Sequence, residues 1–392
     1  MPARVESHLA DRDRTFRLSP EHRVVLFDRL SRAERERLAP LRRDPSFYGV
    51  ICSADAARET TMIAASRDVA LLLLTLREPG RLPSYIADAA DPEIDRTIAQ
   101  LVLDGVLEVQ ADDGFVSGAA ALRGLSNASS SRGHIATISR DALVYASMLD
   151  TESPLDVEAR LYMYNQAPLT PSRSKVIPNR SAVRSFLGID RGPIPTVLNE
   201  HWVESTADAW IQWTSKRPSE SAVSHRAPTY KLYLSPTIDA LPHVFATTVR
   251  VLADAGVTAF KVGASPRDLA RPDKLVAYFR SRDRALECGA LLSTQLSGTP
   301  VQGVPFSATI NDDGLVSWGM DPADQLGRAP ETSWRRWICR RLAHYLTAIS
   351  SSTDTSVPPW EFALERLRLD GVDTVRWEPD AERMNRETWA AS

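Results

Sequence analysis

The sequence predicts an α+β fold in two domains, and three observations support this prediction. Segments with the apolar repeat of helices and segments with the alternation of strands follow one another, without the strict β-α-β order of a doubly wound sheet. All nine tryptophans lie at or after Trp202, so the two parts of the chain differ in composition. The small polar stretch SNASSSRG begins at 126, and we expect a linker over 126–150.

Composition argues against several classes of protein. Of 392 residues 43% are hydrophobic and 25% are charged, which is typical of a folded, water-soluble chain, and the net charge of −3 does not favour nucleic-acid binding. The longest apolar run, 69–74, is too short to cross a bilayer, and the charged N-terminus lacks a signal peptide's apolar core. Three separated cysteines without a CxxC pair argue against disulfides and against a zinc site. We therefore expect a cytoplasmic protein with no membrane and no metal.

The first domain, predicted over 1–125, begins with short strands and continues with three helices and a hairpin. The strand segments are HRVVLFD, FYGVICS and TTMIAAS, with a charged helical turn after the first. Ser66 is a candidate N-cap of the first helix, and Asp91 with Pro92 begins the third. The segments VLEVQ and FVSG, joined by ADDG, predict the hairpin. Short strands, three helices and a closing hairpin describe a winged helix.

Winged helices often bind DNA, but the charges of this one argue against it. From Ser66 to Leu122 four arginines stand against ten acidic residues, and the third helix carries only Arg96 as a cation. The other use of such a module is peptide binding by strand addition beside the third helix. The arrangement over 22–120 resembles the PqqD-like leader-recognition element of enzymes that modify ribosomally made peptides. We expect Arg96 and Leu101 to contact that peptide, and a packing or dimerisation domain is the alternative.

The middle of the chain is predicted to be a strand followed by a basic loop. The segment EARLYMY at 158–164 alternates like a strand, and the prolines that follow favour an extended loop. No acidic residue lies between Arg160 and Asp190. The loop is therefore equally compatible with binding an anionic ligand and with being a solvated connection. A short helix, SAVRSFLG, ends at Gly188, and DAWIQWTSK predicts a strand.

The second domain, predicted over 151–378 with a frayed tail at 379–392, is expected to be a mixed α/β sandwich. TYKLYLS alternates with Lys231 and Tyr233 on one face, and an amphipathic helix follows it. AFKVGAS is a second strand of the same sheet, with Lys261 on one of its faces. Further strands are KLVAYF, VPFSATI and LVSWGM, and a long helix begins near 333.

Cationic side chains from three of these pieces meet if the strands are neighbours. Arginine binds phosphate oxygens bidentately, and lysine binds them as a point charge. A lysine that is partly desolvated among other cations has a lowered pKa and can serve as a general base. The set supports β-elimination of phosphate from phosphoserine or phosphothreonine without a metal or an organic cofactor. The catalytic candidates are Lys261, Lys231 and Tyr233, and the phosphate-binding candidates are Arg271, Lys274 and Arg267. The alternative is a set of surface cations on strand ends.

The same region resembles a known family. TYKLYLSP, FKVGASPRDLARPDKLVAYF, GVPFSATI and GLVSWGMDP with SWRRWICRRLA look like a divergent HopA-type domain, which is derived from type III effectors and is a proposed lyase in pathways to thioamitides and class V lanthipeptides. The resemblance spans about 228–348. The positions on the family's order are Lys261, Arg271, Asp273, Tyr278, Asp321, Pro322 and Ser333. The chain departs from it in lacking an aromatic-Asn ending at 230–235 and in carrying Trp318 before its DP pair.

The resemblance implies maturation of a ribosomal peptide, in which Asp273, Tyr278 and Asp321 support the site. The partners it implies are a precursor peptide with leader and core, a separate kinase-like protein and a cyclase. A non-catalytic scaffold that binds the leader peptide is the main alternative, and a winged-helix regulator is a third hypothesis.

Overall fold

The computed structural model describes residues 8–55, 62–89, 91–112, 114–123, 133–151, 153–207, 209–216, 229–322, 333–350 and 357–380. These residues form helices and several antiparallel sheets, so the predicted α+β class is confirmed. They divide into two compact units, one drawn from 8–123 and 348–370 and the other from 133–347 and 371–380. Within the described ranges no helix is both long and apolar enough to span a membrane.

The helices, in chain order, are α1 (Arg32–Leu38), α2 (Arg67–Thr75), α3 (Ser84–Ala87), α4 (Pro92–Leu103), α5 (His134–Ser147), α6 (Pro154–Met163), α7 (Pro171–Val176), α8 (Arg180–Leu187), α9 (Ile194–His201), α10 (Leu241–Asp254), α11 (Pro266–Leu269), α12 (Arg282–Gln295), α13 (Trp334–Ser350) and α14 (Pro359–Leu369). The strands are β1 (Phe16–Leu18), β2 (His22–Leu26), β3 (Phe47–Ser53), β4 (Ile63–Ser66), β5 (Leu107–Ala111), β6 (Gly114–Val116), β7 (Trp202–Ala207), β8 (Trp210–Ser215), β9 (Thr229–Leu234), β10 (Ala259–Gly263), β11 (Leu275–Phe279), β12 (Ala308–Thr309), β13 (Val316–Asp321), β14 (Val372–Asp373) and β15 (Glu378–Pro379).

The first unit contains the predicted strands, three successive helices and a closing hairpin. One sheet has the order β2-β3-β4 and the other β1-β5-β6. The Ser66 side chain accepts a hydrogen bond from Val69 N–H at 3.3 Å, and the Asp91 side chain accepts one from Glu93 N–H at 2.9 Å, so both predicted caps are present. The hairpin β5–β6 follows α4 as expected. The winged-helix interpretation of this arrangement stays a prediction.

Two segments differ from the predicted division of the chain. Residues 134–147, expected to belong to a linker, form α5, because buried positions such as Ile135 and Leu143 pack it into the second unit. Of the predicted second domain, the described residues 348–350 and 357–370 belong to the first unit. There Arg366 forms an ion pair with Asp104 at 2.5 Å. Of the predicted tail, Pro379 pairs with Val372, and 381–392 lie outside the described residues.

The strand predicted for 158–164 is wrong, because 158–163 belong to α6. Ser153 caps this helix by accepting a hydrogen bond from the backbone N–H of Asp156 at 3.3 Å, and Pro154 occupies its first position. Its buried positions, Val157 and Leu161, are four residues apart. The alternation in EARLYMY is therefore part of a helical repeat that begins earlier.

The extended loop predicted after that segment is also wrong. Pro171 stands at the first position of α7, where proline is tolerated, and Thr170 caps the helix by accepting a hydrogen bond from Arg173 N–H at 3.3 Å. The short helix predicted at 181–188 is present as α8, and it ends at Gly188 with φ 69°.

The second unit is built on a seven-stranded antiparallel sheet with the order β12-β13-β9-β11-β10-β8-β7. One face of this sheet is apolar. Phe260 of β10 stacks on Trp213 of β8 with ring centroids 4.8 Å apart, and Phe245 of α10 contacts the same tryptophan. Gly289 brings the backbone of α12 close to Leu232 on this face. The apolar core of the unit therefore lies between the sheet and helices α10 and α12.

The opposite face of the sheet approaches the start of α13. Trp334, the first residue of that helix, is fully buried, and its indole lies against Gly319 of β13. A Cβ atom at Gly319 would lie 2.3 Å from Trp334 Cδ1. Glycine is therefore required at this crossing, because any side chain would push the helix away from the sheet.

We expect Gly319→Ala to lower the free energy of unfolding by about 1–3 kcal/mol, because the added methyl group overpacks the contact with Trp334. Gly80→Ala is the control, since a Cβ there meets nothing closer than 3.9 Å. Differential scanning calorimetry reports on both units. An unchanged transition in Gly319→Ala would show that the indole is not held against this glycine.

Candidate functional site

The polar face of the sheet collects charged side chains because paired strands place opposed residues on the same face. Lys231 of β9 lies opposite Tyr278 of β11, and Val276 of β11 lies opposite both Tyr233 and Lys261. Lys231 and Tyr233 share a face of β9 as predicted, and the registers through Val276 place Lys261 of β10 on that same face of the sheet. Three neighbouring strands thus form a floor of amines and phenols.

These side chains line one side of a cavity of about 630 Å³. Its walls come from α6, from the first turn of α13, and from the segment between α11 and β11. The lining residues that carry polar chemistry are Glu158, Tyr162, Trp210, Lys231, Tyr233, Lys261, Arg271, Asp273, Tyr278, Ser333, Arg335 and Arg336. Five of these side chains are cationic and two are carboxylic, so the lining has an excess of positive charge.

The buried Asp273 carboxylate contacts three other side chains of the cavity wall. Arg271 binds it in a bidentate manner, with Nε 2.9 Å from Oδ1 and Nη2 3.0 Å from Oδ2. Arg335 Nη1 lies 3.0 Å from Oδ2, and the Tyr162 hydroxyl donates a hydrogen bond to the same oxygen at 3.1 Å. Burial opposes ionisation of this carboxyl, but the charges of Arg335 and Arg271 outweigh it and hold its pKa below the usual range.

Lys231 has a partner of its own. Its Nζ lies 2.5 Å from Oδ2 of Asp321, the last residue of β13. The other oxygen of that carboxylate, Oδ1, accepts a hydrogen bond from the backbone N–H of Trp334 at 2.8 Å. Asp321 therefore joins β9, β13 and the first residue of α13 at one point. The Lys231 amine thus lines the cavity as one member of an ion pair.

Lys261 differs from Lys231, because its amine has neither a hydrogen bond nor an ion pair among the described residues. Its Nζ lies 4.1 Å from the ring centroid of Trp210 and 5.6 Å from that of Tyr278. Burial lowers the pKa of this amine, the neighbouring charge of Lys231 lowers it further, and the result is about 8. The amine can therefore lose and regain a proton near neutral pH.

The Tyr233 hydroxyl is also buried without a hydrogen-bond partner among the described residues, although Tyr233 lines the cavity. Burial, with a further contribution from the charge of Asp321, raises its pKa well above 10. The hydroxyl therefore keeps its proton at neutral pH. It can donate a hydrogen bond or a proton to a bound group, and it cannot act as the base.

Two predicted phosphate-binding residues lie away from the cavity. Lys274 is fully buried, and its Nζ donates hydrogen bonds to Pro236 O at 2.8 Å and to Gln302 Oε1 at 2.5 Å. Its amine is thus enclosed by protein oxygens. Arg267 is exposed on the short helix α11 and is absent from the cavity lining. Of the predicted phosphate-binding set, only Arg271 lines the cavity.

The peptide contacts predicted for the first unit are not presented to solvent. The exposed fraction is 5% for Arg96 and 8% for Leu101, and Arg96 forms an ion pair with Glu93 one turn earlier on α4. Both residues belong to the packed side of the helix, because the apolar stripe of α4 includes Leu101 and extends to position 96.

Three residues of the site were not identified from the sequence. Tyr162 lies in the segment predicted as a strand, and Trp210 was read only as part of a bulky β-segment. Arg335 lies in the long helix predicted from about 333, and it is 1% exposed and donates hydrogen bonds to the carbonyl oxygens of Pro305 and Tyr162. The spacing of the helix does indicate that Arg335 is buried, because Arg335 lies three residues before the buried Ile338 on the apolar stripe of α13.

No group of three or more His, Cys, Asp or Glu side chains within the described ranges has an arrangement that could hold a metal ion.

Comparisons with known proteins give matches of fold only. No protein-family model matches the chain, and no curated protein does. An effector protein from Pseudomonas syringae pv. tomato strain DC3000 is 13% identical, covers 62% of this chain and 97% of its own, and has a TM-score of 0.39. An effector from Pseudomonas syringae pv. syringae strain 61 is 12% identical, with coverages of 62% and 95% and a TM-score of 0.39. The type III effector and phosphothreonine lyase OspF from Shigella flexneri is 13% identical, with coverages of 38% and 86% and a TM-score of 0.26.

We expect Asp273→Asn to lower the free energy of unfolding by about 3–5 kcal/mol, because the buried guanidinium of Arg335 and the partly buried one of Arg271 lose their shared counter-charge. Urea unfolding followed by tryptophan fluorescence measures the change, since the described tryptophans other than Trp360 lie in the second unit. Glu36→Gln, in the exposed pair with Arg32, is expected to change stability by less than about 0.5 kcal/mol. Equal stability of the two variants would contradict the role given to Asp273.

Proposed function

We propose that the second unit eliminates phosphate from phosphoserine or phosphothreonine in a peptide. One observation carries this proposal: the Lys261 amine lies in a positively charged cavity without a hydrogen-bond or ion-pair partner among the described residues, and its pKa is lowered to about 8. A sizeable fraction of this amine is neutral at physiological pH, as a general base requires.

The excess of cations in the lining supports binding of a doubly negative group. Arg271 and Arg335 share the single carboxylate of Asp273, so their combined charge is only half balanced. The bonds of Arg271 to Asp273 and Tyr162 use Nε and Nη2, so among the described residues its Nη1 group is left for a ligand. A phosphate here would meet the Nη1 group of Arg271 and the amine of Lys231.

The reaction follows from these positions. The neutral amine of Lys261 takes the proton from Cα of the phosphorylated residue, and the C–H electron pair forms the second bond between Cα and Cβ. The Cβ–O bond breaks with its electrons on the phosphate oxygen. Tyr233 donates a proton to that oxygen, so phosphate leaves as hydrogen phosphate, and the proton on Lys261 is returned to Tyr233 or to solvent. The products are a dehydroamino acid and inorganic phosphate.

We also propose that the peptide is a ribosomally made precursor and that the first unit binds its leader. The resemblance to a PqqD-like element motivates this step, and the sheet offers a place for it, since β4 is an outer strand of the β2-β3-β4 sheet within the described residues. An outer strand has backbone groups open to an added strand. A kinase-like protein supplies the phosphate and a cyclase uses the dehydrated residues, all in the cytoplasm.

We expect the wild-type protein to remove the mass of phosphoric acid from a phosphothreonine peptide, and Lys261→Ala to slow this by about 10²–10⁴-fold, because the general base is lost. Lys175→Ala, at an exposed lysine outside the cavity lining, is the control and keeps the wild-type rate. Mass spectrometry separates elimination from hydrolysis, which leaves a hydroxyl group on the peptide. Phosphopeptide binding without any elimination would favour the non-catalytic scaffold.

We expect kcat/KM to rise with pH through a midpoint of about 8, because Lys261 must lose its proton before it can act. Lys231→Met should move this midpoint upward, since the charge of Lys231 helps to lower the pKa of Lys261. The measurement is the pH dependence of phosphate release for both proteins. A midpoint that stays in place in Lys231→Met would contradict the electrostatic coupling of the two amines.

A further inference from the structure

The part of the cavity wall that α6 forms includes an apolar stripe, in contrast to the cationic floor. Leu155, Ala159 and Met163 of α6 stand at intervals of four residues and all line the cavity. Residues at this spacing lie above one another on one face of a helix. The stripe that they form faces the same space as the amines of the sheet.

This stripe is not needed to hold α6 in the fold. The helix is anchored by a different pair, Val157 and Leu161, which are 2% and 0% exposed. Leu155 is 76% exposed, so folding removes little of its apolar surface from water. An apolar side chain that lines a cavity and is left largely open to water gains burial when a ligand covers it.

The polar residue between the members of the stripe is already neutralised. Glu158 is buried, and its carboxylate oxygens lie 3.0 Å from Arg336 Nε and 3.4 Å from Arg340 Nε. Both guanidinium groups are about half exposed or more. The wall therefore presents no unbalanced negative charge that would repel a ligand bound to the floor.

We infer that the stripe of Leu155, Ala159 and Met163 is a subsite for an apolar side chain directly next to the phosphorylated residue. The inference rests on the proposed function for the identity of the floor ligand. The cavity of about 630 Å³ lies in the range of sites that bury a ligand of drug size, well beyond the needs of a phosphate group. When the phosphate is held on the cationic floor, the side chain next to the phosphorylated residue in the same peptide reaches the apolar stripe.

The subsite is tested with labelled phosphothreonine peptides that carry either Leu or Ser on each side of the phosphothreonine. Binding is measured by fluorescence anisotropy in the Lys261→Ala background, in which elimination cannot consume the probe. We expect a Leu neighbour to improve affinity by about tenfold, the scale of a small apolar group in a matching pocket. Adding Leu155→Ser should reduce this preference to less than about twofold.

Val176→Ser is the matched control, because Val176 is 72% exposed in the same unit and does not line the cavity. Its preference for the Leu peptide should be unchanged. Equal affinity for Leu and Ser peptides, a preference that survives Leu155→Ser, or failure to bind either peptide overturns the inference. Elimination of the same peptides by the wild-type protein is scored separately. A Leu preference without elimination rejects the lyase and retains the subsite.

Discussion

The site depends on one buried carboxylate, Asp273, that two guanidinium groups and a phenol share. Tyr162 brings α6 to this point, Arg335 brings α13, and Arg271 brings the segment before β11. An isolated buried charge is costly, and it persists only when its partners are held in good geometry. The sheet and both helical walls therefore meet at Asp273. Since two cations share one anion, the same arrangement leaves a surplus of positive charge beside the cavity.

The two lysines on the floor are chemically distinct although they share a face of the sheet. Lys231 is paired with Asp321, whereas Lys261 rests against the rings of Trp210 and Tyr278. Aromatic faces stabilise an ammonium only modestly, so burial shifts Lys261 toward its neutral form. One amine thus suits anion binding and the other suits proton transfer. This division of roles comes from Asp321, which forms an ion pair with Lys231, whereas no described carboxylate forms an ion pair with Lys261.

Short-range patterns in the sequence were sufficient for the strands of the floor and for the capped helices of the first unit. The alternation in TYKLYLS predicts that Lys231 and Tyr233 share one face, and that in AFKVGAS predicts one face for Lys261, because side chains alternate with a period of two. The pairing of both strands with β11, which the structure supplies, brings the two faces together. Local sequence patterns gave a wrong prediction where tertiary packing determines the structure. The alternation at 158–164 is too short to distinguish a strand from a helix, and a charged residue such as Arg335 reads as exposed until its buried partner is known. Lys274 stands in the same basic loop as Arg271 but is enclosed by carbonyl oxygens, which no local pattern reveals.

The central claim is that Lys261 is a partly desolvated amine without an ion-pair partner in the described part of the chain, and the most direct measurement is its own titration. Acetylation of Lys261 can be followed by mass spectrometry across a pH series, with the rate reporting the neutral fraction of the amine. The account predicts a midpoint of about 8. A midpoint near the ordinary lysine value of about 10.4 would contradict it, because the amine would then remain protonated at neutral pH and could not take a proton from a substrate.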